Sequence, residues 1–153
     1  MGYTHYYYQK KNLTQKQWEK VCLETFQIID YCKSKKIDLA FESDIPKPAD
    51  VSNEMIRFNG VGGEGHETFI FFKKKPNPEA WSKSESEDYF YFCKTARKPY
   101  DLAVCLVLLS LANHAPKSVK LGSDGDWDCE WTEARKVYKE LFGVEAEAFQ
   151  KAA

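Results

Sequence analysis

The stretch DYFYFCKTARKPYDLAVCLVLLSL, from Asp88 to Leu111, decides the fold. Its first eight residues alternate: Phe90, Phe92 and Lys94 share one face of a strand, and Tyr89, Tyr91 and Cys93 share the other. Pro99 then opens a helix at a position where its missing N–H costs nothing. Leu102 to Leu111 is apolar almost all round, so this helix is expected to be the buried one. A strand that feeds a buried helix through a short charged turn is the unit to which the rest of the chain must fit.

Before this unit, Tyr3 to Gln9 reads as a strand with Tyr3, His5 and Tyr7 on one face and Thr4, Tyr6 and Tyr8 on the other. Thr14 is placed as the N-cap of a helix whose apolar positions run from Trp18 to Cys32 and whose last turn carries Lys33, Lys35 and Lys36. Asp44 to Ser52, with Pro46 and Pro48, reads as a loop. Met55 to Asn59 and Thr68 to Lys73 read as the strands of a hairpin around a glycine tip, Gly60 to Gly65, and Pro76 to Glu87 reads as a loop. After the buried helix come a short strand, Ser118 to Leu121, and a turn, Gly122 to Gly125. A last helix follows, capped by Asp126 or Asp128, striped by Trp131, Ala134, Tyr138, Leu141 and Phe142, and stopped by Gly143. The order β-α-β-β-β-α-β-α predicts an α+β fold, a single mixed or antiparallel sheet of about five strands with three helices packed on it. One globular domain is expected over residues 1–153, with a short frayed tail from about residue 144.

Composition narrows the class. With 153 residues, the chain can bury roughly 70% of its unfolded surface, so it needs neither disulfide nor metal to fold. Hydrophobic residues at 43% and charged residues at 29% exclude collagen, coiled coil and wholesale disorder. Twenty-two Lys and Arg against 23 Asp and Glu leave a formal charge of −1, so no global basic field exists and general nucleic-acid binding is not expected. The aromatic fraction, 15%, is the one unusual number. Five cysteines without a CxxC pair, no apolar h-region at the start and no apolar run long enough to span a bilayer lead to the expectation of a soluble cytoplasmic protein with no membrane partner.

Several motifs fail on their context. Gly60, Gly62 and Gly65 satisfy GxGxxG, but the next segment reads as a strand, whereas a dinucleotide fingerprint must open a helix. The loop is then a hairpin tip or a flap over a ligand. Asp124, Asp126 and Asp128 imitate an EF-hand start, yet Cys129 stands where Gly is required and Arg135 where Glu is required. His5, Glu64, His66 and Glu67 have no second His or Cys at a ligand spacing, so neither a dedicated zinc site nor a cofactor is expected.

The turn from Lys94 to Asp101 carries the chemistry. It lies at a strand end beside a helix N-terminus, where free N–H groups and the positive dipole end favour an anion. Lys94, Arg97 and Lys98 add cations, Thr95 a hydroxyl, Tyr100 a flat ring for a base, and Asp101 a cap or an acceptor for ribose. The plainer reading is a solvated charge run with an N-cap. His5, Arg57 and Asn59 are polar residues on otherwise apolar or aromatic strands and are placed on the same face, with His66 beside the glycine loop.

The segments GYTHYYY, FCKTARKPYD and SDGD resemble those of an uncharacterised family of small phage and bacterial proteins, in which GYTHY-, KTARKPYD- and SDGD-like segments recur in this order. The resemblance spans Gly2 to Phe142. It implies fold continuity and a phage-linked origin, and it adds Ser123 and Asp124 to the motif positions that would meet at one pocket. By analogy with small phage proteins that act on host defence, the leading expectation is capture of a nucleotide-derived signalling molecule, a cyclic dinucleotide or ADP-ribose derivative, without turnover. The first alternative is a phosphoesterase-like enzyme with His5 or His66 as general base and Asp101 or Asp124 as its orienter or a metal ligand. The second is a protein-binding inhibitor of a host effector, in which the aromatic excess would form an exposed patch. A homodimer that completes the pocket across a two-fold axis fits the leading reading.

Overall fold

Alternation along the first strand sets one layer against another. The computed structural model of the chain describes residues 2–77 and 87–149. The elements run β1 (Thr4–Gln9), α1 (Gln15–Ser34), β2 (Leu39–Ala40), β3 (Asp50–Val51), β4 (Met55–Gly60), β5 (Phe69–Phe72), β6 (Tyr89–Lys94), α2 (Asp101–His114), β7 (Val119–Ser123) and α3 (Thr132–Phe142). This is the expected order with two extra two-residue strands, one of them inside the stretch read as a loop. Of the loop expected from Pro76 to Glu87, residues 78–86 lie outside the described residues, as do residues 150–153 of the tail.

The three helices form as their signals dictate. Thr14 closes a capping box on α1, its hydroxyl accepting from the Gln17 N–H while the Gln17 side chain accepts from the Thr14 N–H. Helix α2 is buried at every position from Ala103 to Leu111 and packs on α1, α3 and β7. Helix α3 ends at Gly143 in the left-handed region, φ 70°. Its start departs from expectation: Trp131 holds the N-cap position with no side-chain cap, and Asp128 instead pairs with Arg135 at 2.9 Å. Gly122 and Ser123, expected in a turn, extend β7. Among the described residues no helix is long and apolar enough to cross a membrane.

The expected single sheet is two antiparallel sheets. One runs β6-β1-β7; in the other, β4 pairs with β2, β3 and β5. The division has a local cause. Side chains, where backbone N–H groups of a neighbouring strand would stand, meet the carbonyls of β5 and of the residues leading into it: Tyr100 Oη donates to Glu67 at 2.6 Å, Tyr91 Oη to Thr68 at 2.6 Å, Tyr7 Oη to Ile70 at 2.7 Å and Gln9 Nε2 to Phe72 at 2.9 Å. The sheets therefore meet through phenols and an amide, with the apolar layer of Tyr7, Ile56, Phe58, Phe69 and Phe71 between them and Trp18 of α1 stacked on Phe71. Each such buried ring contributes about 1.5–3 kcal/mol relative to exposure.

Candidate functional site

Two arrangements use the three-stranded sheet, the first at the end where β1 begins and β6 ends, the second across its outer face. The first is a buried polar cluster. β1 presents His5 inward, α2 presents Asp101 and, one turn on, Cys105, and β7 presents Ser123. The turn between β6 and α2 holds Ala96 and Arg97 both in the left-handed region, φ 52° and 58°, a conformation that costs about 1–2 kcal/mol per non-glycine residue. It is held by Thr95 N–H donating to Tyr3 O at 3.0 Å, Lys98 N–H to Thr95 O at 3.0 Å and Asp101 N–H to Lys98 O at 2.8 Å.

Counting protons fixes the state of the cluster. Ser123 Oγ accepts from Trp131 Nε1–H at 3.0 Å and from Gly125 N–H at 2.9 Å. Neither group can be anything but a donor, so both hydroxyl lone pairs are taken. The Ser123 proton then goes to His5 Nδ1, 2.7 Å away, and the proton of the neutral imidazole sits on Nε2, 2.7 Å from Asp101 Oδ1. Thr95 Oγ1 donates to the same carboxylate oxygen, and the Cys105 thiol to Oδ2 at 3.7 Å. Burial alone would push the Asp101 carboxyl up; the hydrogen bonds from His5, Thr95 and Cys105 outweigh it and hold the group below its ordinary value. Burial, with Asp101 beside it, pushes the Cys105 thiol well up. His5 is closed off edge-on by Tyr3 and Trp131, with ring centroids at 5.0 and 5.2 Å, and its side chain is fully buried.

The sequence Oγ–H, imidazole, carboxylate has the order of a hydrolase triad, but the geometry does not supply the chemistry. The electron pair that would be freed as His5 takes the Ser123 proton points at the His5 ring, whose side chain is fully buried, so a substrate has no line of approach to it. The ligand atoms of His5, Asp101 and Cys105 also lie within 4.8 Å of one another, close enough for a divalent ion. A metal on His5 Nε2 would move the ring proton to Nδ1, which would then face a hydroxyl that already accepts twice. The donor set fits a proton on Nε2 and does not fit a metal. The cluster locks β1, α2, β7 and the 123–131 loop together.

The second arrangement is the outer face of the same sheet. Register pairs Thr4 with Lys94, Tyr6 with Phe92 and Gly122, and Tyr8 with Phe90 and Lys120. Four rings touch there: Tyr8–Phe90 at 5.0 Å, Tyr6–Phe90 at 5.8 Å, Phe90–Phe92 at 6.1 Å and Tyr6–Tyr8 at 6.3 Å. Phe90 and Phe92 remain 43% and 44% exposed. Gly122 is required beneath them, because a Cβ there would collide with the Tyr6 ring, which lies against the β7 backbone.

The expected site residues divide among several places. His5, Thr95, Asp101 and Ser123 meet in the cluster. Asp124 adjoins it, its carboxylate accepting from Thr4 N–H at 3.0 Å, and Arg97 lies over the Tyr3 ring at 4.0 Å. Lys94 belongs to the outer face, and the Lys98 ammonium has no ion pair among the described residues. His66 Nδ1–H donates to Lys94 O at 2.8 Å. The base-stacking role expected of Tyr100 is corrected: the ring is fully buried. Asn59 is corrected as well, since its amide is saturated by Gly60 N–H, His66 N–H, His66 O and Thr68 Oγ1 and serves to close the glycine loop. Arg57 lies in the other sheet, paired with Glu42 and stacked over Phe41 at 4.1 Å. The anion seat expected at the start of α2 is taken, because the Asp101 and Leu102 N–H groups donate to Lys98 O and Pro99 O and Asp101 itself supplies the negative charge.

Sequence reasoning missed Cys105, Trp131 and the outer rings. Cys105 stands four residues after Asp101 on a helix, a spacing that puts both on one face; Trp131 carried no such signal. Neither a family model, nor a curated protein, nor a solved structure matches the chain.

Proposed function

We propose that the protein captures a nucleotide-derived ligand without turning it over, stacking bases on the outer face of the β6-β1-β7 sheet and holding phosphates with the cations at its Lys94 end. The observation that carries this reading is the quartet Tyr6, Tyr8, Phe90 and Phe92, four touching rings on a sheet face with Phe90 and Phe92 open to solvent. Rings offer flat faces to any base. Lys94 follows Phe92 on the same strand face, and Arg97 and Lys98 stand on the turn just beyond it. Capture without turnover is supported by the burial of His5, toward which the Ser123 hydroxyl points. Sequestration of a signalling nucleotide is the role such a protein would play; its setting in host defence rests on the resemblance of segments alone.

The exposed rings also favour a second reading, a protein partner docked on the same face. Protein interfaces are depleted in Lys, whereas this face carries Lys94 and Lys120 beside its rings, which favours phosphates. Calorimetric titration with ADP-ribose and cyclic di-AMP tests the proposal. Saturable binding is expected, weakened about tenfold or more in Phe92→Ser and in the Lys94→Ala/Arg97→Ala pair, with the probe mass unchanged after incubation. No binding of either probe overturns the reading, and a new product mass transfers it to a phosphoesterase.

A further inference from the structure

We infer that the ligand of this face is a single-stranded oligonucleotide, laid across the sheet between Lys94 and Lys120; the inference rests on the base-stacking reading above and names its substrate class. Three observations carry it.

The first is openness. Sites for small molecules are concave and bury most of the ligand, whereas here Phe90 and Phe92 keep over two fifths of their surface free. A nucleotide-sized ligand such as ADP-ribose or cyclic di-AMP gains one or two stacks on such a face, and each successive base of a longer strand adds its own.

The second is repetition. Strand register sets the ring-bearing residues in two pairs, Phe92 opposite Tyr6 and Phe90 opposite Tyr8, one dipeptide apart, with the Tyr6 ring touching Phe90 across the diagonal. Within each strand the ring centroids lie 6.1 and 6.3 Å apart. Gly122 lets the Tyr6 ring lie down on β7, so its other side faces outward. Sheet faces of this kind take two or three unstacked bases.

The third is charge. Lys94 stands above one of these ring pairs and Lys120 at the far corner of the other, and neither makes an ion pair among the described residues. Asp88 is engaged by Lys10, Asp124 by Thr4 N–H and Glu67 by Lys94 N–H, whereas Glu147 lines one cleft with Lys120. A duplex hides its base faces and so offers these rings nothing to stack on. Single strands are thus selected over duplex.

Fluorescence anisotropy with labelled U10 RNA, competed by UpU and by a hairpin duplex, tests this on the full chain. The decamer is expected to bind at least about tenfold more tightly than UpU, and the duplex not to compete. Two phosphate contacts predict a slope of log K against log salt of about −1.4, lost in Lys94→Ala/Lys120→Ala. Phe90→Ser/Phe92→Ser should lose about tenfold or more per ring with an unchanged melting temperature. Decamer binding no tighter than UpU overturns the inference and leaves the nucleotide reading standing; no binding of decamer, UpU or the nucleotide probes overturns both. A stable dimer that Phe90→Ser/Phe92→Ser dissociates, without decamer binding, gives the face to a second copy and overturns it also.

Discussion

β1 and the residue before it carry two different faces on one strand. Inward point Tyr3, His5, Tyr7 and Gln9, all buried; both His5 ring nitrogens, the Tyr7 hydroxyl and Gln9 Nε2 are drawn into named hydrogen bonds, while Gln9 Oε1 has no partner among the described residues. Outward point Tyr6 and Tyr8, whose hydroxyls make no hydrogen bond among the described residues, next to the exposed Phe90 and Phe92. Polar groups that are satisfied inside a fold explain the fold. Rings left open on its surface do not, because burying them would have been favourable by the hydrophobic effect. The polar face looks like chemistry and behaves as structure; the apolar face looks like core and stays open to solvent.

The comparison breaks first if the cluster proves dispensable. His5→Ala leaves a cavity and strips partners from Ser123 and Asp101, and an expected loss of about 3–5 kcal/mol follows. Urea denaturation measures it, and a loss under about 1 kcal/mol would mean the cluster does not hold the fold. The proton count has its own check: ¹⁵N NMR of His5 should show a protonated Nε2 and a bare Nδ1. The opposite tautomer would reopen the metal reading of His5, Asp101 and Cys105.

Gly122 sharpens the outer side. Gly122→Ala places a methyl against the Tyr6 ring, with an expected loss of about 1–2 kcal/mol. In a Tyr6→Ala background most of that loss should vanish, since the collision is with the ring. A penalty unchanged by Tyr6→Ala would show that the ring does not rest on β7.

Much of the fold was legible because its signals are local. Helix α2 is apolar on every side, Thr14 stands three residues before Gln17, and Phe90, Phe92 and Lys94 alternate with Tyr89, Tyr91 and Cys93. The splitting of one sheet into two was not legible, for it depends on Tyr7, Tyr91 and Tyr100 reaching the carbonyls of a hairpin distant in sequence. The site was legible in part. His5, Thr95, Asp101 and Ser123 do meet. Alternation assigns residues to faces, but it cannot say which face is covered, so it does not separate the outer rings from core residues.

Acid titration separates the two faces more gently. The folded-state carboxyl of Asp101 lies below its ordinary value, so its ionised form stabilises the native state above the unfolded value of about 3.9. That contribution is lost as pH falls through the folded value. The stability gap between the wild type and Asp101→Asn should therefore narrow as pH falls below about 4. A gap that stays constant down to pH 2.5 would mean that the carboxylate gains nothing from His5, Thr95 and Cys105.

The smallest effect on stability is expected where the effect on binding is largest. Phe90→Ser and Phe92→Ser remove rings that are already more than two fifths exposed, and surface substitutions of this kind shift stability by about 0.5 kcal/mol or less. Solubility should rise, because β6 is an edge strand and loses its apolar side chains. Thermal melts of the two single variants check this directly. A fall in melting temperature comparable to that of His5→Ala would show that the rings support the sheet from outside, and the outer face would join the inner one as structure. Unchanged melts with lost oligonucleotide binding would leave the two sides of β1 with separate tasks, one holding the strand in place and the other using it.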